Sequence, residues 1–387
     1  MKRILPIGLF VLPMLLGFFG CSSSPDQELP RIQLYQAHQQ RQQVKLSLFG
    51  KSIEYVLLET NKQCLISDWT DYFLDGDLIV VIGFRYNYLF DRKTGRFLRE
   101  IGHFGNDPGG YRATPKINSY NYRRHLIRTY GWDLDTYYIY PIKPGQEFLL
   151  KTPRSVVNTV ELVNGNYLGY VRNYEGSEKR RLVEFSANDT THINMVPNFH
   201  TFLDTGASLL LPYHGSFYEF DDQTYFYESY TDTIFRYASG TITGHLILDR
   251  GKLGPTYEQQ GSGAFIKNLS SYALPHNFQE TSRWVVCRYI LNNVIYYYCI
   301  FDKKNGTTYV TNSDKQTMSG FENDIDCFVS FPLSSINPDG YAIGAVEAGD
   351  VIQWMDSTRM APPEEIAYSN KLSENANPLI MIVKIKD

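Results

Sequence analysis

Asp91–Tyr111 reads Asp-Arg-Lys-Thr-Gly-Arg-Phe-Leu-Arg-Glu-Ile-Gly-His-Phe-Gly-Asn-Asp-Pro-Gly-Gly-Tyr. Two short runs precede it, Leu78–Ile82 and Tyr86–Phe90, both rich in the aliphatic and aromatic residues that favour strands. Lys93-Thr94-Gly95 supplies a turn, and Arg96–Ile101 a further strand. Gly102, Gly105, Gly109 and Gly110 then make a loop in which the backbone can reverse sharply. Pro108 fixes φ and lacks an N–H donor, which suits that loop and excludes a central strand. Tyr111 is expected to pack back beneath it and to hydrogen-bond through its hydroxyl. The stretch reads as one blade of a β-propeller.

The rest of the chain repeats this rhythm loosely. Val156–Tyr170 carries Asn164-Gly165, a strong hairpin signal. Ser216–Asp249 breaks into four short strands, with turns at Asp221-Asp222, Tyr230–Asp232 and Ser239-Gly240. Asp232 is expected to accept backbone N–H bonds in its turn. Trp284–Leu291 and Val294–Phe301 flank Asn292-Asn293, and Gly340–Val346 and Leu379–Ile385 close the series. About four strands every 40–60 residues points to a propeller. A parallel α/β fold needs long helices between strands, and only Pro362–Asn370 looks helical. Tyr and Phe, 30 and 23 of them in 387 residues, favour half-buried pleated surfaces, so the class is all-β. An open ring would leave an unpaired edge, so Ile53–Thr60 is expected to share a sheet with Leu379–Ile385.

The first residues resemble a bacterial lipoprotein signal. Lys2 and Arg3 precede an apolar run, Ile4–Gly20, and Cys21 follows a small residue; Phe18 departs from the usual aliphatic residue. An uncleaved anchor or an ordinary secretory leader are the alternatives, but a membrane span needs roughly 20 apolar residues, and this run is short and carries Pro6 and Pro13. The expected division is a leader over 1–21 ending at a lipidated Cys21, a polar tether over 22–43 whose glutamine-rich part, Arg31–Gln43, is exposed or a short helix, and the propeller over 44–387. Acyl chains on Cys21 would hold the domain on a membrane, and Asp26 and Glu28 favour the outer membrane. A formal net charge of −4 gives no electrostatic basis for binding nucleic acid. Of the remaining cysteines, Cys287 and Cys299 are near in sequence. The expected two-residue loop at Asn292-Asn293 sets Cys287 opposite Tyr298 and leaves free, buried thiols; one extra loop residue would instead bring the cysteines face to face.

Gly95–Gly102 with Gly105–Tyr111 resembles the first-blade signature of the six-bladed β-propeller lipoproteins of gut bacteria, a largely uncharacterised family. Asp232–Tyr237 with Leu248–Lys252, Phe321–Asp326 and Glu374–Leu379 resemble its later motifs, in the same order. Cys327 stands where the family pattern has glycine, and His103 where it has a basic residue. The resemblance implies six blades closed by N- and C-terminal strands sharing the last blade, a lipid anchor and no known activity.

Motifs for catalysis are absent: no Gly-x-Ser-x-Gly elbow, no His-Glu-x-x-His, no Cys-x-x-Cys and no phosphate loop. Asp133-x-Asp135 and Asp324-x-Asp326 lack a full calcium loop, so neither a metal nor another cofactor is expected. Aromatic residues are the main functional hint. Trp132 follows a glycine in a predicted loop, with Tyr137 beyond it; both are candidates for stacking on a sugar or peptide. Arg123-Arg124 is a basic spot that suits an acidic ligand. The expectation is a non-catalytic binding or scaffold module for a glycan, peptide or envelope protein. The alternative is a polysaccharide hydrolase or lyase using paired carboxylates at the axis.

Overall fold

The computed structural model describes residues 28–386 except 68–69, 116–118, 134, 144, 174, 188, 204–214, 261–265, 293–294, 313–319, 361 and 368–371. Cys21 therefore lies outside the described residues, as does Gly261-Ser262-Gly263, a serine between glycines that lacks the third glycine of a nucleophile elbow.

Six small antiparallel sheets form a ring, the six-bladed propeller the sequence motifs imply. The first blade comprises Asp71–Asp75, Leu78–Ile82, Asn87–Asp91 and Phe97–Glu100, in that spatial order. Its inner strands are continuous apolar runs because the sheet is covered on both faces by neighbouring blades. The innermost strands of the following blades are Tyr120–Asn121, Val156–Glu161, Gly215–Phe220, Leu274–Glu280 and Leu333–Ile336. The ring closes in the last blade, where Gly50–Leu57 pairs antiparallel with Leu379–Ile385, Ile53 opposite Val383. That is the sealing expected from the termini.

Six apolar clusters fill the gaps between blades. Between the first and second, Val80 and Leu89 meet Tyr120 and Ile127; between the third and fourth, Leu168 and Tyr170 meet Phe217 and Phe226. Much of the tyrosine content is spent here, where a large ring covers the gap; the Tyr237 and Tyr298 hydroxyls donate to Glu184 and to the Leu333 carbonyl, whereas those of Tyr111 and Tyr227 are buried without a partner. The free edges of the innermost strands are satisfied across blades. Ser334 Oγ accepts from Tyr72 N at 2.9 Å, Ser335 Oγ donates to Tyr72 O at 2.7 Å, and Asn158 Nδ2 donates to Gly215 O at 2.8 Å. These bonds remove the unpaired-edge penalty and fix the axial geometry.

Three features differ from the sequence expectation. The tether over 22–43 contains the short helix expected as one of its two readings, but from Arg31 onward it is docked on the propeller. Arg31–Ile32 adds a parallel fifth strand to the fourth blade, and the helix Leu34–Gln39 buries Leu34 and His38. The cause is an open strand edge together with Ile32 and Leu34, which are too apolar to leave in water. Second, a helix at Ala348–Thr358 occupies the connection before the last strand, with Ala348 and Val351 buried and Trp354 and Met355 packed on the core. The shorter helix at Glu364–Ala367 falls within the predicted helical stretch. Third, Leu291 pairs with Ile295, so the hairpin loop has three residues, not two. Cys287 then faces Cys299 and not Tyr298; both thiols are free and buried.

Candidate functional site

A pocket of about 610 Å³ runs along the propeller axis, and all six innermost strands contribute to its wall. The volume lies within the range of small-molecule sites. Carboxylates mark one end. Glu161 is the last residue of its innermost strand, Glu219 the next to last, and Glu280 the last. Innermost strands of successive blades run the same way, so this places all three at the same end.

Each acid is matched by a cation. Glu219 is paired with Arg123, and Glu161 lies 3.5 Å from Arg124 Nη1. Glu280 is gripped by His245 Nε2 at 3.0 Å, Lys303 Nζ at 3.0 Å and the Tyr218 hydroxyl, which donates at 2.8 Å. At the other end Arg288 Nη2 lies 3.4 Å from Asp71 Oδ1. Burial pushes Glu161 above the usual carboxylate range against the pull of Arg124 and Arg123. Burial pushes Glu280 the same way, but the hydrogen bond and charge of His245, with Lys303, hold it below that range. The wall between is aromatic and polar: Phe73, Phe217, Phe278, Tyr122 and Asn277 line it. Tyr122 exchanges a hydrogen bond with Ser335 Oγ at 3.0 Å. His276, buried beside Arg288, has its pKa lowered to about 3 by burial and by that charge.

The residues singled out in the sequence divide between this pocket and the periphery. Arg123 and Arg124 sit at the pocket's acidic end, each engaged with a lining glutamate, so their charge is already matched. Tyr137 is 3% exposed and lies against the Arg128 guanidinium between blades, so its ring is closed to a ligand. Trp132 is 48% exposed and outside the pocket wall; its indole N–H donates to Gly105 O. The glycine-rich loop is built as read in its backbone and packing: Tyr111 is fully buried, Gly102 and Gly109 have φ of +63° and +82°, and Tyr140 donates to Gly109 O at 2.8 Å. The Tyr111 hydroxyl, expected to be hydrogen-bonded, finds no partner among the described residues, because the ring is sealed in the apolar gap between blades. Asp232 accepts not from its own turn but from Arg250 Nε at 2.7 Å. Asn323 and Asp326 brace their turn, whereas Asp324 reaches out to Ser47. Among the described residues no cluster of His, Cys, Asp and Glu is arranged to hold a metal ion.

Sequence reasoning missed Glu161, Glu219 and Glu280. They lie on three blades, so no short motif joins them. Their one signal is a spacing of roughly 60 residues, about the blade repeat.

The profile of a family described as a domain of unknown function, DUF4934, matches residues 29–384. No curated protein matches the chain. Among solved structures, a Bacteroides fragilis protein whose name describes it as exported is 18% identical, with a TM-score of 0.66; the match covers 90% of this chain and 98% of that one. At that identity the likeness establishes the fold alone. A Bacteroides caccae protein of unknown function is 9% identical with a TM-score of 0.36, over 69% of this chain and 82% of that one.

Proposed function

The chain belongs to the DUF4934 family, whose description assigns no activity, and from that premise we propose a role built on the axial pocket: lipid-anchored, non-catalytic recognition of a neutral glycan at the cell envelope. The observation that carries this reading is the pairing of every lining carboxylate with a cation at the wall of a roomy, aromatic-lined pocket. Pre-paired acids and arginines offer vicinal hydroxyl groups both acceptors and donors, without the cost of desolvating a lone charge. Phe73, Phe217 and Tyr122 offer apolar surface to sugar C–H groups. With the lining acids already paired to cations, neither sign of charge is left dominant, which suits a neutral ligand.

The anchor rests on the leader. Arg31, where the chain joins the fourth blade, lies ten positions after Cys21. Fully extended, that span reaches at most about 35 Å, which would keep the propeller close to the lipid surface. A Cys21→Ala chain should leave the membrane fraction; continued sedimentation with membranes would reject the lipid anchor.

Ligand recognition is tested by calorimetry and thermal shift with neutral oligosaccharides, uronic-acid oligosaccharides and short peptides. Neutral sugars should bind, and Glu219→Gln should weaken them by roughly 10–100-fold, the span of a hydrogen bond to a charged group. Trp132→Ala, outside the pocket, should leave binding unchanged. Binding of uronates or peptides alone would reject the neutral-glycan reading, and no binding at all would reject the pocket's role.

A second reading has one observation in its favour. Glu161 is biased toward its protonated form while Glu280 is biased toward its charged form, the contrast that acid–base pairs use. A hydrolase would release reducing ends from a polysaccharide and lose that activity in Glu161→Gln. Absence of product from the intact chain would exclude it for the polysaccharides tried.

A further inference from the structure

Cys287 and Cys299 sit in register on adjacent antiparallel strands, Trp284–Leu291 and Ile295–Asp302. Directly opposed residues in such a pair have Cα atoms about 4.5–5.5 Å apart, inside the window that a disulfide spans. Both side chains point to the same face of the fifth blade, into the apolar cluster shared with the fourth. They are 2% and 1% exposed. The neighbouring Cys299 thiol, and then burial, push the Cys287 thiol well up. Tyr289 and Tyr297, stacked at 5.1 Å between ring centroids, flank the pair on the same two strands. Cys64 is buried in a different cluster, between the last and first blades, and Cys327 is exposed, so neither competes for this partner.

We propose that Cys287 and Cys299 are a disulfide site, oxidised to a cross-strand bridge within the fifth blade when the chain folds outside the cytosol. This rests on the envelope reading, because disulfides persist in oxidising compartments and are rare in the cytosol. The oxidant is an external disulfide, carried by a small molecule or an oxidase. One cysteine, as thiolate, attacks it and forms a mixed disulfide while one external thiol leaves. The second cysteine then attacks its partner's sulfur and releases the other external thiol. One S–S bond forms, one is broken, and the two cysteine protons end on the two released thiols. Oxidation must precede or accompany packing, since the finished blade shields both sulfurs. Once formed, the bridge is shielded from reductant in the same way.

The test uses the full chain isolated from a bacterial envelope, quenched in acid, alkylated and digested with trypsin without reduction. Trypsin cuts after Arg283, Arg288 and Lys303, so the bridge would join the peptides 284–288 and 289–303 as one species, 2 Da lighter than the two thiol peptides together. That species is the expected result. Recovery of both peptides alkylated, from chain verified in the envelope fraction, would overturn the proposal and leave the envelope reading intact. Chain found only in the cytosol would sink the envelope reading instead. The unfolded chain would then be refolded with oxidised glutathione. A specific 287–299 bridge there upholds the site, and no bridge, or scrambled pairing with Cys64 or Cys327, overturns it. Cys287→Ser should abolish the linked species while Cys327→Ser leaves it.

Discussion

Arg250 Nε donates to Asp232 Oδ1 at 2.7 Å, while Arg250 Nη1 donates to the carbonyl of Ser229 at 2.7 Å. The Arg250 side chain is 1% exposed and that of Asp232 43%, so one guanidinium ties the turn before Thr233–Ala238 to the exit of the strand Thr241–Leu248. Arg250→Ala would remove the charged hydrogen bond to the Ser229 carbonyl and open a void beside Tyr227, at a cost of about 3 kcal/mol. Asp232→Asn keeps an acceptor at the water-facing side and should cost less. Urea unfolding of the two variants checks the order; equal, small losses would show that the turn holds without the guanidinium.

Gly95 has φ of +65°, and a Cβ there would lie 2.0 Å from the carbonyl oxygen of Leu57 in the closing strand. Its own carbonyl accepts from Glu59 N at 2.7 Å. The first blade thus seats against the last blade through a contact that only glycine permits. Gly165 also has positive φ, +84°, but open space around it. Gly95→Ala and Gly165→Ala share a backbone penalty of about 1–2 kcal/mol. Only Gly95→Ala adds the clash, so its melting temperature should fall further. Matched melting temperatures would remove Gly95 from the closure.

Much of this was legible in the sequence, and the limits have physical causes. The first blade and the ring closure could be read because strand alternation and turn glycines are local signals. The helix Ala348–Thr358 was missed although Ala348, Val351, Trp354 and Met355 carry helical spacing, because one apolar stripe over three turns sits inside a strand-rich chain. The 287–299 register was misread because one loop residue decides which face every later side chain takes. The axial glutamates were invisible because the ring, not the chain, brings blades three, four and five together. Trp132 and Tyr137 were chosen for ring chemistry, and burial, which sequence does not give, separates the accessible one from the closed one.

His276 gives the fold a pH dependence. Its Nδ1 lies 3.2 Å from the Leu274 carbonyl and so carries the proton, and its pKa falls from 6.5 to about 3. Below pH 6.5 the unfolded chain takes up a proton at this position and the folded chain does not. Stability from this residue is therefore complete above pH 6.5 and is lost as pH falls from 6.5 toward 3, by up to about 1.4 kcal/mol per pH unit. Above and below that window it contributes no slope. His276→Asn should flatten the curve between pH 6 and 4 relative to the parent chain, measured by urea unfolding at each pH. Parallel curves would mean that His276 is protonated in the folded chain.

Cys327 occupies a position where the family pattern has glycine, and its φ is +61°. A non-glycine residue in this region pays roughly 1–2 kcal/mol against glycine. The turn holds it there: Asn323 Nδ2 donates to Asp326 Oδ1 at 2.7 Å, and Phe328 N donates to the same oxygen at 3.2 Å. The side chain is exposed, so removing it forfeits little packing. Glycine in the unfolded chain has more freedom to lose, which takes back about 0.4–1 kcal/mol of the relief. Cys327→Gly should therefore stabilise the propeller by several tenths to about 1 kcal/mol, whereas Cys327→Ala, with the same backbone demand, should leave stability nearly unchanged. Chemical denaturation of both variants beside the parent separates the causes. A gain shared by both would trace to the thiol, and a loss in Cys327→Gly would show that the side chain contributes more to the turn than its backbone strain costs.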